Sequence, residues 1–287
     1  MMVRRIAAAL VALAVLSGCT TPADHSPAPP KPPTYPNWPE LLAGFRFRWS
    51  AEPGIDLLTG PAVPLRAFVE SYWVGVDTSD VDSHVAPKFA SYPGFLNAVA
   101  QPTGAEGTIP YQVTYAWPFP GMTYSGEPLY GTEYLHVLTL DPIDGGYRAY
   151  VCDGRYNTFF HDRSTNRYTS VVRWSNDDDS LVQLWRVEMR TGSSAPPGAT
   201  QQQKGPNPAP LGDVFGDWRI TASNMGLWGM RNSPESHEYR PIAALQHQRC
   251  LGLMPHPADQ RASMSRREFG SPPPFEPAVP GWPAQAS

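Results

Sequence analysis

The sequence predicts an α+β domain in which N-terminal helices pack on a curved antiparallel sheet, with Pro-rich disordered extensions at both ends. Three observations predict it. An apolar stripe of helical period lies early in the chain, and after about residue 110 come several short runs rich in Val, Tyr, Trp and Leu; prolines crowd residues 19–40 and 256–287.

The folded part is expected between Leu41 and Pro255, a length that suits one domain with a sizeable core. Leu65, Phe68, Val69, Tyr72 and Trp73 fall at i, i+3, i+4, i+7 and i+8, with Pro64 set for a first turn and Gly75 available to end the helix. A second helical candidate, Pro87 to Val99, is interrupted by Pro93-Gly94 and reads as two short pieces joined at a bend. Strands are expected at Glu133–Leu140, Tyr147–Asp153, Tyr168–Trp174, Leu181–Arg190 and Asp217–Ala222. Asp141 to Gly146 reads as the hairpin turn of the first pair, and Asn176 to Ser180 as that of the third and fourth strands. The consecutive Asp177, Asp178 and Asp179 lack the glycine and distal glutamate of a calcium loop, so they read as a solvated turn. Ser194 to Pro210 reads as a flexible polar excursion and Pro272 to Ser287 as a disordered tail.

Helices first and a meander afterwards, opened by PLRAFVESYW, resemble the nuclear-transport-factor-two-like, or cystatin-like, superfamily over roughly Ala62 to Ser223. The resemblance implies a strongly curved sheet wrapped around helices as a cone. In enzymes of that superfamily an Asp, His or Tyr inside an apolar cone does acid–base chemistry, helped by desolvation that raises a carboxyl pKa. The aromatic piece from Tyr111 to Tyr130 does not map cleanly onto its third helix.

The N-terminus concerns location. Arg4 and Arg5 precede the apolar run Ile6 to Leu16, which is shorter than the ~20 residues that span a bilayer. Leu16-Ser17-Gly18-Cys19 resembles the lipobox of bacterial lipoproteins, which implies removal of residues 1–18 and diacylation of Cys19; the alternative is an ordinary secreted chain. Eight prolines between Thr20 and Pro39 suit an extended spacer between a lipid anchor and a domain. Loss of residues 1–18 removes Arg4 and Arg5 and no acid, so 22 basic against 26 acidic residues becomes 20 against 26. An acidic mature chain without a basic stripe is not a nucleic-acid binder. Its arginine, alanine and proline bias resembles that of GC-rich actinobacterial chains, mycobacterial ones among them.

With Cys19 assigned to lipid, Cys152 and Cys250 are left to pair as a disulfide in an oxidising compartment, or to stand as two buried thiols. No motif for a nucleophile elbow, zinc site or P-loop occurs, so no catalytic residue, metal or cofactor is assigned. Candidate acid–base residues are His136 in a strand, Asp153 after Val151-Cys152, and the pair His161-Asp162, each with an ordinary packing or turn alternative. Trp117-Pro118-Phe119-Pro120-Gly121 is the candidate exposed aromatic loop, since its prolines keep it out of a central strand. The candidate binding residues are therefore Trp117, Phe119, His136 and Asp153. The expected partners are a membrane through the anchor, and an envelope protein or an apolar ligand through the domain; cone-fold enzyme and accessory subunit of an envelope transport complex are the alternatives.

Overall fold

The computed structural model describes residues 34–79, 90–99, 103–104, 108–118, 126–173, 177–192 and 201–285. Cys19, Phe119, and the readings made for residues 1–33 lie outside them. The chain runs β1 (Gly44–Ala51), α1 (Ala62–Thr78), the single turns α2 (Phe95–Ala98) and α3 (Tyr111–Thr114), β2 (Leu129–Ile143), β3 (Gly146–Gly154), β4 (Thr158–Asp162), β5 (Arg167–Ser170), β6 (Val182–Thr191), β7 (Trp218–Asn224), α4 (Pro234–Leu253), α5 (Ala258–Ser265) and β8 (Glu268–Phe269). The domain is α+β, with helices packed on a curled sheet that is antiparallel except for one strand pair.

The sheet order is β7-β6-β3-β2-β4-β5-β8, and β1 lies parallel to β2. Gly131 pairs with Phe45 of β1 and with Thr158 of β4, and Tyr134 pairs with Arg48 of β1 and Gly154 of β3. Thus β1 holds one edge of β2, while β3 and β4 share the other and the sheet divides into two wings. The division turns on Gly131, at φ 98°, where a Cβ would stand 2.2 Å from the Asn157 carbonyl oxygen. Only glycine lets the chain entering β4 come that close.

Alternation along the strands sends Leu135 and Val137 of β2, Ala149 and Val151 of β3, and Trp185, Val187 and Met189 of β6 into a core shared with α1. The opposite set, Tyr134, Leu138, Tyr150, Cys152 and Leu184, packs with Trp228, Tyr239, Cys250 and Met254. Both faces of the sheet are therefore covered, α1 on one and α4 on the other, and β2 is buried from Gly131 to Leu138. The expected pair Cys152–Cys250 is a disulfide with Cα atoms 5.3 Å apart, and it bolts α4 to β3.

Several expectations change. The α1 helix continues through Gly75 to Thr78, whose hydroxyl donates to the Val74 carbonyl at 2.6 Å. The β2–β3 hairpin stands, with Ile143 opposite Gly146, but β5 and β6 do not pair. The turn between them is instead used by α5: Asp177 caps Ser180 N–H at 2.9 Å, and Asp178 Oδ1 accepts from buried Arg261 Nε at 2.7 Å. Residues 256–285 are a built part of the domain rather than a loose tail. Their prolines feed an extended strap whose Trp282 is 1% exposed, because its indole Nε1 finds a buried acceptor in Glu70 at 2.7 Å. Part of the 194–210 excursion is also packed: Gln203 N–H donates to the Leu58 carbonyl at 2.8 Å, and Asn207 bridges to Trp282.

Candidate functional site

Helix α1 is buried all round, yet it carries Arg66, Glu70 and Asp77, which with Trp73 follow the i, i+4, i+7, i+11 spacing of one helical stripe. Buried charge requires partners. At the first end, Glu70 Oε1 accepts from Trp49 Nε1 at 2.7 Å, and Oε2 accepts from Tyr92 Oη at 2.9 Å and from Trp282 Nε1. Arg66 donates to the carbonyls of Leu57, Gln203 and Pro280 at 3.0, 3.2 and 2.7 Å and stacks 4.3 Å from the Trp282 ring centre. Burial raises the Glu70 carboxyl pKa, while Arg66 and the three donors oppose the rise.

The other end gathers the sequence-predicted Asp153 with groups not singled out from the sequence. Asp153 Oδ2 accepts from Trp73 Nε1 at 2.8 Å and Trp185 Nε1 at 2.9 Å. Arg155, over the Trp73 ring at 3.9 Å, donates to both Asp77 oxygens at 3.0 and 2.9 Å and places Nε 2.9 Å from Glu133 Oε2. Asp77, Glu133 and Asp153 are each 0% exposed. Burial lifts all three carboxyl pKa values, Asp77 to about 6 and Glu133 well above its ordinary value, with Asp153 adding to the rise at Glu133. Three carboxylates around one guanidinium would leave two net negative charges in a dry interior. A proton on Glu133, directed at Asp153, removes one and gives otherwise unpaired oxygens of both groups a hydrogen bond.

Chemically the cluster is a proton store whose three carboxyl residues are shut from solvent among the described residues. A cone-fold enzyme needs room for substrate beside such a carboxyl. Here Tyr72 and Phe68 meet Trp185 edge-on at 4.8 and 6.2 Å, and Trp73 meets it at 6.1 Å.

The store has a thermodynamic signature. A carboxyl with a raised folded pKa contributes stability that is complete below its unfolded pKa and is lost as pH rises through the folded one. For Asp77 that window runs from 3.8 to about 6, and for Glu133 it extends higher. His136, lowered chiefly by burial, acts the other way, but only below its ordinary value of 6.5. The melting temperature is expected to be higher at pH 6 than at pH 8, and Glu133→Gln should flatten that slope. A wild-type profile that is flat or rises toward pH 8 contradicts the shared proton.

His136 does not join Asp153. Adjacent register places it opposite Cys152, whereas Asp153 faces Leu135, so the two side chains leave opposite sides of the sheet. His136 Nδ1 lies 2.8 Å from Ser50 Oγ, and Nε2 lies 3.5 Å from Glu52 Oε1, which shares its carboxylate with Arg249 at 3.6 Å. Hydroxyl, imidazole and carboxylate stand in the order of an activated serine, but the last gap exceeds a hydrogen bond and Arg249 competes for the acid. Trp117 is half-buried and packs on Phe95 at 6.2 Å, as part of the α1-side core rather than as an open aromatic platform. Its neighbour Phe119 lies outside the described residues.

Near the third sequence candidate a cavity of about 420 Å³ opens between the β4–β5 hairpin and the α5–β8 corner. Asp162, Thr165, Thr169, Arg173, Ser265, Arg266, Arg267 and Glu268 line it, without an apolar residue among them. Asp162 is held ionised, with a pKa near 2, first by the Ser164 hydroxyl and further by Ser164 N–H and Arg173. His161 instead bonds Asn166 Oδ1 at 3.1 Å and lies against Tyr168.

No family model, curated protein or solved structure matches this chain.

Proposed function

We propose that this chain is a lipid-anchored cell-envelope protein whose extracytoplasmic domain is a non-catalytic binding module. The observation that carries the binding role is a cavity of about 420 Å³, open at the surface and lined by polar and charged residues. The carboxyl cluster, already engaged by Arg155, Trp73 and Trp185, argues against acid–base catalysis inside a cone. The cavity's lining favours a hydrophilic ligand over the apolar one expected from the aromatic content.

The anchor reading rests on Leu16-Ser17-Gly18-Cys19 and the proline-rich spacer after it. The Cys152–Cys250 bond supports an oxidising compartment, where such bonds persist. In a bacterial host that processes lipoproteins, Cys19→Ser is expected to abolish incorporation of an alkynyl fatty acid and to move the protein out of the membrane fraction. A Cys19→Ser protein that still takes up label and stays with membranes refutes lipidation at this cysteine.

A protein partner is the second reading. Ile242, Leu245 and Leu253 of α4 are 45%, 64% and 36% exposed, while Tyr239 and Cys250 face the sheet. An apolar stripe left outside a helix suits an accessory subunit of an envelope complex. Crosslinking on intact envelopes from photoreactive residues at 242 and 245 tests it, with one recurrent adduct expected and none counting against it.

A further inference from the structure

The cavity between the β4–β5 hairpin and the α5–β8 corner has an electrostatic character that its neighbours do not cancel. Its lining includes three arginines and two acidic residues. Asp162 is already engaged by Arg173 at 3.3 Å and by Ser164, and Glu268 faces Arg167 at 3.8 Å. Arg266 and Arg267 form no ion pair with any described residue. They follow α5 directly and line the same cavity, so two arginines without an ion-pair partner among the described residues border one volume.

We propose that this cavity binds the phosphate monoester of a polyhydroxylated ligand. A phosphate monoester carries about −1.5 to −2 charge at neutral pH, which matches Arg266 and Arg267, and guanidinium forks bind such groups with paired hydrogen bonds. The hydroxyl of Thr169, the lone pairs of Thr165 and Ser265, whose own protons go to the Asp162 and Ala262 carbonyls, and the carboxylate of Glu268 suit the hydroxyls of a sugar or cyclitol rather than an acyl chain. A volume of about 420 Å³ falls within the ~300–1,000 Å³ of small-molecule sites. The floor is rigid: Thr169 of β5 is paired with Glu268 of β8, and α5 is tied down by Arg261, which is 2% exposed and bound to Asp178. The inference rests on the reading of the domain as a surface binding module and is independent of the lipid anchor.

The test is calorimetric titration of the full-length protein with glucose 6-phosphate, glucose and inorganic phosphate, together with flotation on phosphatidylcholine vesicles with and without phosphatidylinositol 4-phosphate. Glucose 6-phosphate is expected to bind at least tenfold more tightly than glucose, and to weaken as salt is raised. Arg266→Ala/Arg267→Ala should lower that affinity tenfold or more with an unchanged melting temperature, whereas Arg240→Ala on the exposed side of α4 should not. Flotation with the phosphoinositide that is lost in the double variant, without a response to glucose 6-phosphate, assigns the same phosphate recognition to a lipid headgroup. Equal binding of glucose and glucose 6-phosphate, or no binding of any probe, overturns the proposal. Phosphate-dependent binding that survives the double variant overturns this site while leaving a surface binding module in place.

Discussion

Arg155→Met is expected to destabilise the domain by about 3–5 kcal/mol, the cost of stranding buried acids without their cation. In a domain of this size that lowers the melting temperature on the order of 10 °C. The size of the effect follows from how many groups lean on one guanidinium. Arg155 is the donor to both oxygens of Asp77, lies against Glu133, and covers the face of Trp73, which itself donates to Asp153. Without it the three carboxyls can stay buried only by taking up further protons, so the variant should lose more stability than the wild type between pH 6 and pH 8. Arg155→Met/Glu133→Gln should recover part of the loss, because one acid is then neutral by composition. Thermal unfolding followed by circular dichroism reads all three proteins. An Arg155→Met variant within 1 kcal/mol of wild type at pH 8 would mean that water reaches the cluster and that the interior is not dry.

Breaking the disulfide should cost nearly as much by a different route. Cys152 and Cys250 are 98 residues apart, and closing a loop of that length is worth about 4–5 kcal/mol in the chain-entropy model. The native contacts that remain are buried Ser236 and Tyr239, half-buried Ala243 and Leu251, His247 Nε2 against the Val182 carbonyl at 2.7 Å, and Arg249 near Glu52. Urea unfolding with and without reductant, beside Cys152→Ser/Cys250→Ser, should give the same deficit for the reduced wild type and the double variant. Proteolysis of the reduced protein should begin within Pro234–Leu253. A reduced protein as stable as the oxidised one would show that packing against the sheet alone holds α4.

Much of the α1 side of the molecule was legible. Its apolar stripe, five of the strands and the β2–β3 turn follow from periodicity and turn chemistry, and the cysteine count left Cys152 and Cys250 for each other. Strand β1 was missed although Phe45, Phe47 and Trp49 alternate with Arg46, Arg48 and Ser50 in a strict period of two. Helix α4 was missed for a physical reason: Ile242, Leu245 and Leu253 face solvent, so no apolar stripe marks the buried side. Its start is nonetheless signalled by Ser233, which caps Ser236 N–H, followed by Pro234 at the first helical position. The proline-rich C-terminal segment failed as a tail because composition does not register a single tryptophan with an acceptor waiting for it. The carboxyl cluster had a readable sign too. Glu133 shares strand parity with Leu135 and Val137, and Asp153 and Arg155 share it with Ala149 and Val151, so charges fall in phase with the core. No local pattern could say that α1 would bring Asp77 to meet them.

The strap at the C-terminus bears on the order in which the chain can finish folding. Its partners, Trp49, Arg66 and Glu70, lie early in the sequence, while Val279, Pro280 and Trp282 are among the last residues described. A chain emerging N-terminus first, from a ribosome or through a membrane pore, holds α1 long before the Pro280 carbonyl and the Trp282 indole that complete the shells of Arg66 and Glu70 exist. Until they arrive, burying that helix leaves a carboxylate and a guanidinium short of hydrogen bonds, a penalty that favours a loose chain over a closed one. Completion of the core thereby waits on the strap, and the domain stays threadable until residues 279–282 have come through.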